Sequence, residues 1–415
     1  MKYLENKKSV YSWALYDWAN SAFATTVMAG FFPVFYKQYW AADATAAEST
    51  FQLGVGNAAS SLVVMLIAPL IGAIADIGQF TKIFLVLFTV FGIVATGVLY
   101  WVEYNEWALA ISLYCAATIG FMGANVFYDA LILSVSTENN RDLVSALGFA
   151  LGYLGGGLLF AINVAMSLSP ESFGLEHAAE AVRLSFLSVA IWWLLFSVPL
   201  LLFVREKNSK QSVPLLPAIR QGAKQIATTI SQIRALRPVL FFLLAYWLYI
   251  DGVDTVVRMA VDFGLSIGFQ QQDLIIALLI TQFIGFPAAI AFGYVGQRIG
   301  AKKGIYIGLA VYSFVSVWAF FMDAVWEFYV LAAIVGLVQG GVQSLSRSLY
   351  ADLIPANQSA EFFGFYNMMG KSAALLGPLL VAVTVLLMQD HRLAMLSLLV
   401  FFVGGALLLS KTPHV

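Results

Sequence analysis

Apolar residues run along this chain in stretches of about twenty, separated by short polar segments. The stretches begin near residues 13, 53, 83, 107, 143, 184, 238, 272, 303, 328, 362 and 393. At 1.5 Å per residue, about twenty apolar residues cross a hydrocarbon layer of about 30 Å. The pattern therefore predicts twelve membrane helices, the tenth and eleventh interrupted by Arg347, Pro355 and Lys371. The longest polar segment divides them six and six. This gives an N-terminal bundle over 1–204, a linker over 205–237 and a C-terminal bundle over 238–415. Within the linker Leu215, Ile219, Ile226, Ile230, Ile233 and Leu236 recur near helical spacing, with Arg220, Lys224 and Arg234 between them. That spacing predicts an amphipathic helix lying on the cytoplasmic leaflet.

Two polar strings break the apolar pattern at matching points. Asp17-Trp18-Ala19-Asn20-Ser21 and Asp251-Gly252-Val253-Asp254-Thr255 both read Asp-x-x-Asn/Asp-Ser/Thr, and they start 234 positions apart. On a helix the offsets 0, 3 and 4 share one face. Two weaker matches follow in the same order. Gly72-x-x-x-Asp76 ahead of Lys82 pairs with Gly293-x-x-x-Gln297 ahead of Arg298, Gly300 and Lys302, at an offset of 221; Gly148-Phe149 pairs with Gly364-Phe365, at 216. Together they point to duplicated bundles, an arrangement characteristic of transporters.

Composition agrees with the membrane reading. The chain is 61% hydrophobic and 11% charged, against about a quarter charged in soluble domains. A net charge of −1 gives no reason to expect nucleic acid as a partner. A lone cysteine, Cys115, excludes an intrachain disulfide, and His177, His391 and His414 all fall in loops or the tail, so no metal or other cofactor is expected. The segment holding Asp17 lacks the clean apolar core of a signal peptide and is expected to be retained as the first helix. Of the 22 basic residues, 16 fall on one predicted side, which places both termini in the cytoplasm.

Twelve helices in two halves, with Gly-x-x-x-Asp/Gln and basic residues after the second helix of each, resemble the major facilitator superfamily. Two strings narrow the likeness. Tyr16 to Thr25, and Gly340 to Ser348 followed by Ile354-Pro355 and Glu361 to Phe365, are similar to the family named for fungal autophagy-related vacuolar amino-acid effluxers. The resemblance implies an all-α membrane protein of two pseudo-symmetric six-helix bundles, acting as a monomer in a bacterial inner membrane. It also implies a gating role for Gly72, Asp76 and Lys82 and for Gly293, Arg298, Gly300 and Lys302. The first copy departs from the motif, with Gln79, Phe80 and Thr81 where a glycine and basic residues are usual.

Seven charges fall within predicted spans: Asp17, Asp129, Asp251, Asp254, Arg258, Arg347 and Lys371. Each costs about 2.5–3.5 kcal/mol at mid-bilayer, so they are expected to face a cavity or pair with one another. Asp17 with Asn20, and Asp129 with Asn125 one turn away, form a polar cluster toward the cytoplasm that either titrates protons or ties helix ends. Asp251, near mid-membrane beside a helix-weakening Gly252, is the stronger candidate for solute contact. Asp254 and Arg258 stand one turn apart and can neutralise each other. Gln343 and Arg347 share a stripe on the tenth helix, where Arg347 either faces the cavity or snorkels. Lys371 is too deep to snorkel and is expected in the cavity or paired with an acid on another helix. Gly152, Gly155, Gly156 and Gly157 predict close helix packing.

Buried acids beside buried bases suit a zwitterion, so the leading reading is a secondary transporter of a small polar solute, an amino acid being the candidate, with protons as the candidate coupling ion. No nucleotide-binding motif is present to supply ATP. Two alternatives stand: a receptor that binds without translocating, and a lipid-modifying membrane enzyme. The absence of histidine within the spans argues against the enzyme.

Overall fold

The computed structural model describes residues 7–206, 213–373, 376–388 and 391–413. Its elements are helices throughout. Helix α1 (Lys7–Ala22) continues through π-helical turns at Phe23–Phe31 and Tyr36–Trp40. There follow α2 (Ala46–Gly78), α3 (Thr81–Val98), α4 (Trp107–Ala130), α5 (Arg141–Leu168) and α6 (Ala178–Phe203). The linker forms α7 (Leu215–Ala235). The second half comprises α8 (Arg237–Ser266), α9 (Gln271–Ile299), α10 (Ala301–Phe321), α11 (Val325–Leu353), α12 (Ser359–Ala373), α13 (Leu376–Met388), α14 (His391–Ser397) and α15 (Leu399–Ser410).

Among the described residues, ten helices are long and apolar enough to cross a membrane. The two other expected spans are the first, where α1 passes into π turns, and the eleventh, where residues outside the described set separate α12 from α13. Runs of π-helix are rare and concentrate at functional sites. Here the first run starts two residues after Ser21, and Pro33, which has no amide hydrogen to donate, follows it.

Packing repeats between the halves. In the first, α1 packs on α5 and α6, α4 on α2 and α3, and α3 on α6. In the second, α8 packs on α12 and α15, α11 on α9 and α10, and α10 on α14 and α15. The halves meet in crossed pairs, α2 with α12 and α5 with α9, flanked by α4 with α12 and α5 with α11. This is the architecture of two pseudo-symmetric bundles expected from the sequence. Helix α8 runs unbroken through the helix-weakening Gly252. Phe401 and Phe402 of α15 pack against it, with Phe402 Cε1 2.6 Å from where a Cβ would stand.

The seams close at the end of the molecule where basic residues gather, here termed the basic end. Asp76, near the end of α2, accepts the amides of Ala360 and Glu361 at 3.1 and 2.7 Å. These are orphan donors of the first turn of α12, where a carboxylate also meets the positive end of the helix dipole. Gly72 lets the helices approach, since a Cβ there would strike the Ala360 carbonyl. At the other seam a Cβ on Gly293 would stand 2.6 Å from Ala146 of α5, and the Gln297 amide donates to the Asn139 carbonyl at 3.3 Å. Lys82 and Lys302 work within their bundles. Lys82 Nζ donates to the Leu201 and Val204 carbonyls at the end of α6, and Lys302 Nζ to those of Ser410 and Thr412 at the end of α15. Gly300 takes φ 90° between α9 and α10, whereas Gln79 holds the matching turn at φ 57°. Arg298 is exposed.

At the opposite end α13 packs within its own bundle, on α8 and α14. Closure of the basic end is expected to depend on Gly72, where α2 and α12 meet. In a Gly72→Leu chain the added side chain has no room with α12 in place. With Cys115 replaced by serine and Ala146, fully buried here, changed to cysteine, a thiol reagent should leave the parent unmodified and label the Gly72→Leu protein. Equal protection in both would show that the α2–α12 contact does not control this end.

Candidate functional site

A cavity of about 320 Å³ lies between the bundles, lined from α1, α4, α5, α8, α9, α11 and α12. Asp17, Asn20, Asn125, Asp129, Asp254, Gln343, Arg347 and Lys371 all contribute to its wall. The twofold logic of the repeat explains part of this. Asn20 and Asp254, the fourth residues of the two polar strings, both line the cavity.

Arg347 dominates the site. It is 2% exposed, so it does not snorkel. Its Nη1 donates to Asp129 Oδ1 at 3.1 Å and stands 3.9 Å from Asp17 Oδ2. Nε donates to Ser145 Oγ at 3.0 Å and Nη2 to the Ser145 carbonyl at 2.8 Å. The guanidinium also lies 4.4 Å from the Phe149 ring centroid and 4.8 Å from that of Trp13, within cation–π range. One cation of the second half is thereby gripped by α1, α4 and α5 of the first.

The acids have further partners. Asn367 donates to Asp129 Oδ2 at 3.1 Å, Tyr128 OH to Asp17 Oδ2 at 3.3 Å, and Ser21 to Asp17 Oδ1 at 3.3 Å. Trp13 holds Tyr128 in place by stacking at 4.5 Å and by donating to its carbonyl at 3.0 Å. Asn20 donates to Asn125 at 2.7 Å, and Gln282 to Thr25 at 2.9 Å across the bundles. Arg347 is six residues from the end of α11, about 9 Å at 1.5 Å per residue. It therefore floors the cavity toward the basic end. Below it Ser348 bonds Asp142 and Arg141 pairs with Asp352, again between the halves.

Asp251 departs from expectation. It is 1% exposed but does not line the cavity; its Oδ1 accepts the amide of Gly377 in α13 at 2.9 Å. A Cβ on Gly377 would collide with Thr255 and stand 2.8 Å from Asp251. The first half does the same: a Cβ on Gly152 of α5 would lie 2.6 Å from Ser21 Oγ and 3.2 Å from Asp17 Oδ1. The repeated Asp and Ser/Thr thus press on a glycine of a neighbouring helix in each bundle. Only in the first half does the acid also reach the cavity. The side chain of Arg258 lies outside the described residues, so its pairing with Asp254 does not enter the site.

Sequence reasoning passed over Ser145, Asn367, Gln282, Tyr153, Tyr246 and Tyr366, because neutral polar and aromatic residues are unremarkable in membrane helices. Asn367 carried a usable signal, one turn before Lys371 on the same helix. Also unforeseen is a second chamber of about 260 Å³ that shares Ala24, Thr25, Tyr153, Gln282 and Gln339 with the first. Its wall is apolar, from Val256, Ala260, Phe263, Leu274, Ala277, Leu331 and others of the second half.

Removing one partner from a buried ion pair costs about 3–5 kcal/mol, because the other charge stays uncompensated. Arg347→Met should therefore lower the yield and melting temperature of folded protein, and Arg347→Met with Asp129→Asn should recover much of both. Additive loss in the double variant would mean that the pair is not coupled.

Comparison with known proteins places this geometry. The family model described as "Vacuole effluxer Atg22 like" matches residues 54–413. The chain is 38% identical to the "Uncharacterized MFS-type transporter YxiO" of Bacillus subtilis (strain 168), over 97% of this chain and 94% of that one. It is 27% identical to autophagy-related protein 22 of Yarrowia lipolytica, over 63% of this chain and 48% of the fungal one. The match thus spans less than half the length of that fungal relative. Among solved structures, the human organic anion transporter MFSD10 superposes with a TM-score of 0.71 at 14% identity, covering 98% of this chain and 99% of that one. The proton:xylose symporter XylE, bound to 6-bromo-6-deoxy-D-glucose, gives 0.72 at 14% identity, covering 99% and 95%. These two likenesses concern the fold.

Proposed function

The chain belongs to the vacuole effluxer Atg22 like family and is a membrane transporter of the major facilitator fold; we propose that it moves a small zwitterion, an amino acid, by alternating access. The observation that carries this reading is the presence in one cavity of Asp254 and Lys371 alongside the Arg347–Asp129–Asp17 cluster. An α-amino acid needs an acceptor for its ammonium and a donor for its carboxylate. In this reading Asp254 or Asp17 supplies the first and Lys371 or Arg347 the second, by charge-assisted hydrogen bonds. The adjoining apolar chamber takes the side chain, which favours solutes with sizeable apolar groups. Burial of roughly one CH₂ adds about 0.8 kcal/mol, so selectivity among side chains follows from filling that space.

The concentration of basic residues at the closed end supports a cytoplasmic orientation for it, so the cavity is sealed from the cytoplasm. Protons are the proposed coupling ion, acting at Asp129 and Asp17, where loss of negative charge would loosen the hold on Arg347. The presence of transporters among the relatives supports transport over binding alone or enzymatic chemistry.

The test is uptake or counterflow in proteoliposomes with a panel of amino acids and their decarboxylated amines. Lys371→Met should weaken amino-acid binding by tenfold to a hundredfold, the loss of roughly 1.5–3 kcal/mol from one charged hydrogen bond, while leaving amine binding nearly unchanged. A Lys371→Met protein that folds and binds amino acids as before removes this residue from the solute site. Ala277→Phe, which fills the chamber, should reduce transport of large apolar side chains at least tenfold more than that of glycine or alanine. An equal effect on all would detach the chamber from specificity.

A further inference from the structure

Helix α7 presents a surface that neither the cavity nor the seams use. From Leu215 to Ala235 it holds Arg220, Lys224 and Arg234 and no acid. One side rests on the transporter: Ala218 and Thr229 are fully buried and Ile233 nearly so. Gly222 sits on Ile74 of α2, where a Cβ would meet Ile74 Cγ1 at 2.8 Å.

At 3.6 residues per turn, the arc next to this buried stripe carries Ile219, Ile230 and Leu216, which are 43%, 40% and 79% exposed. Beyond it lie Arg234, Arg220 and Lys224, all exposed. The helix thus has three adjoining stripes: protein-facing, exposed apolar, and basic. An exposed apolar stripe bordered by cations fits a helix seated in a headgroup layer, its apolar edge in the acyl boundary. Its depth agrees. The contact at Ile74 lies four residues, about 6 Å, inside the end of α2 at Gly78, so α7 is level with the membrane surface.

We propose that α7 binds anionic phospholipid, with Arg220, Lys224 and Arg234 on the headgroup phosphates and Leu216, Ile219 and Ile230 below them, and that this binding holds the basic end closed. The second half of the proposal follows from what α7 touches. Gly222 lies on Ile74, two residues before the Asp76 that grips α12. The same Asp76 accepts the amide of Glu361 at the start of α12. The helix therefore backs α2, and lipid that fixes it in place holds α2 where Asp76 grips α12. This holds whatever the solute.

The full-length protein is tested in two ways. By native mass spectrometry from detergent, it should retain phosphatidylglycerol in preference to phosphatidylcholine, because three cations can meet its phosphate, with the ratio falling as salt is raised. The variant R220Q/K224Q/R234Q, changed only at exposed positions, should lose this preference while keeping its melting temperature in neutral detergent. In nanodiscs, hydrogen exchange over residues 359–365 should slow when phosphatidylglycerol replaces part of the phosphatidylcholine, and should not slow in the triple variant. A triple variant with undiminished preference overturns the lipid site. Exchange over 359–365 that is the same in both lipids, while residues 215–235 respond, overturns the link to the seam.

Discussion

Everything in this molecule is arranged around one buried cation. Arg347 is enclosed by aromatic rings, two aspartates and a serine backbone, and all of these partners come from the other bundle. A guanidinium is a good choice for such a place, because its planar fork can donate to several acceptors in different directions at once and it stays charged under all ordinary conditions. Lysine would offer one compact charge and could not meet Asp129, Asp17 and the Ser145 carbonyl together. The bond between the halves at the floor of the cavity is therefore electrostatic, while the seams below it close through backbone approach at glycines and a carboxylate on a helix end.

The two halves are copies in packing but not in charge. Each has an aspartate and a hydroxyl pressed on a glycine of a neighbouring helix, and each has a lysine closing the end of its last helix. The first half then adds Asp129 and turns Asp17 toward the cavity, whereas the second turns Asp251 onto the amide of Gly377 and contributes the bases Arg347 and Lys371. At the seams the same exchange occurs: Asp76 serves one and Gln297 the other. Duplication supplied the frame, and divergence placed Asp17 and Asp129 of the first half opposite Arg347 and Lys371 of the second, with Asp254 as the second half's own acid in the cavity.

Much of the fold was legible because membrane spans are long, apolar and bounded by charge. The span starts read from hydropathy coincide with the observed helix at Trp107 and fall up to seven residues inside the helix elsewhere, as in the one that begins at Ala46, and the linker contains a helix as its periodicity suggests. The site was legible only where charge broke the pattern. Asp17, Asp129, Arg347 and Lys371 stand out in sequence and converge on one cavity. Asp251 stands out equally and is elsewhere, because cost of burial reports that a partner exists, not whether the partner is a solute or a backbone amide. The apolar chamber left no sequence signal, since its valines, alanines and phenylalanines are what any membrane helix contains. The π turns after Ser21 were equally hidden, being a matter of backbone registration.

The enclosure of Arg347 also limits what can open this transporter. Parting the bundles would separate a guanidinium from two carboxylates, and any of these charges that neither water nor a new partner reaches would cost several kcal/mol. A solute that carried only a positive charge could replace the arginine at the acids but would leave Arg347 stranded; a purely anionic one would do the reverse. A zwitterion can do both, its ammonium at Asp17 and its carboxylate at Arg347, two of the partners proposed for it, so that these charges keep partners through the change. A proton on an aspartate covers only the acid side of the same exchange. On the proposed function, the solute is thus more than cargo: it takes the place of ion pairs that hold the bundles together.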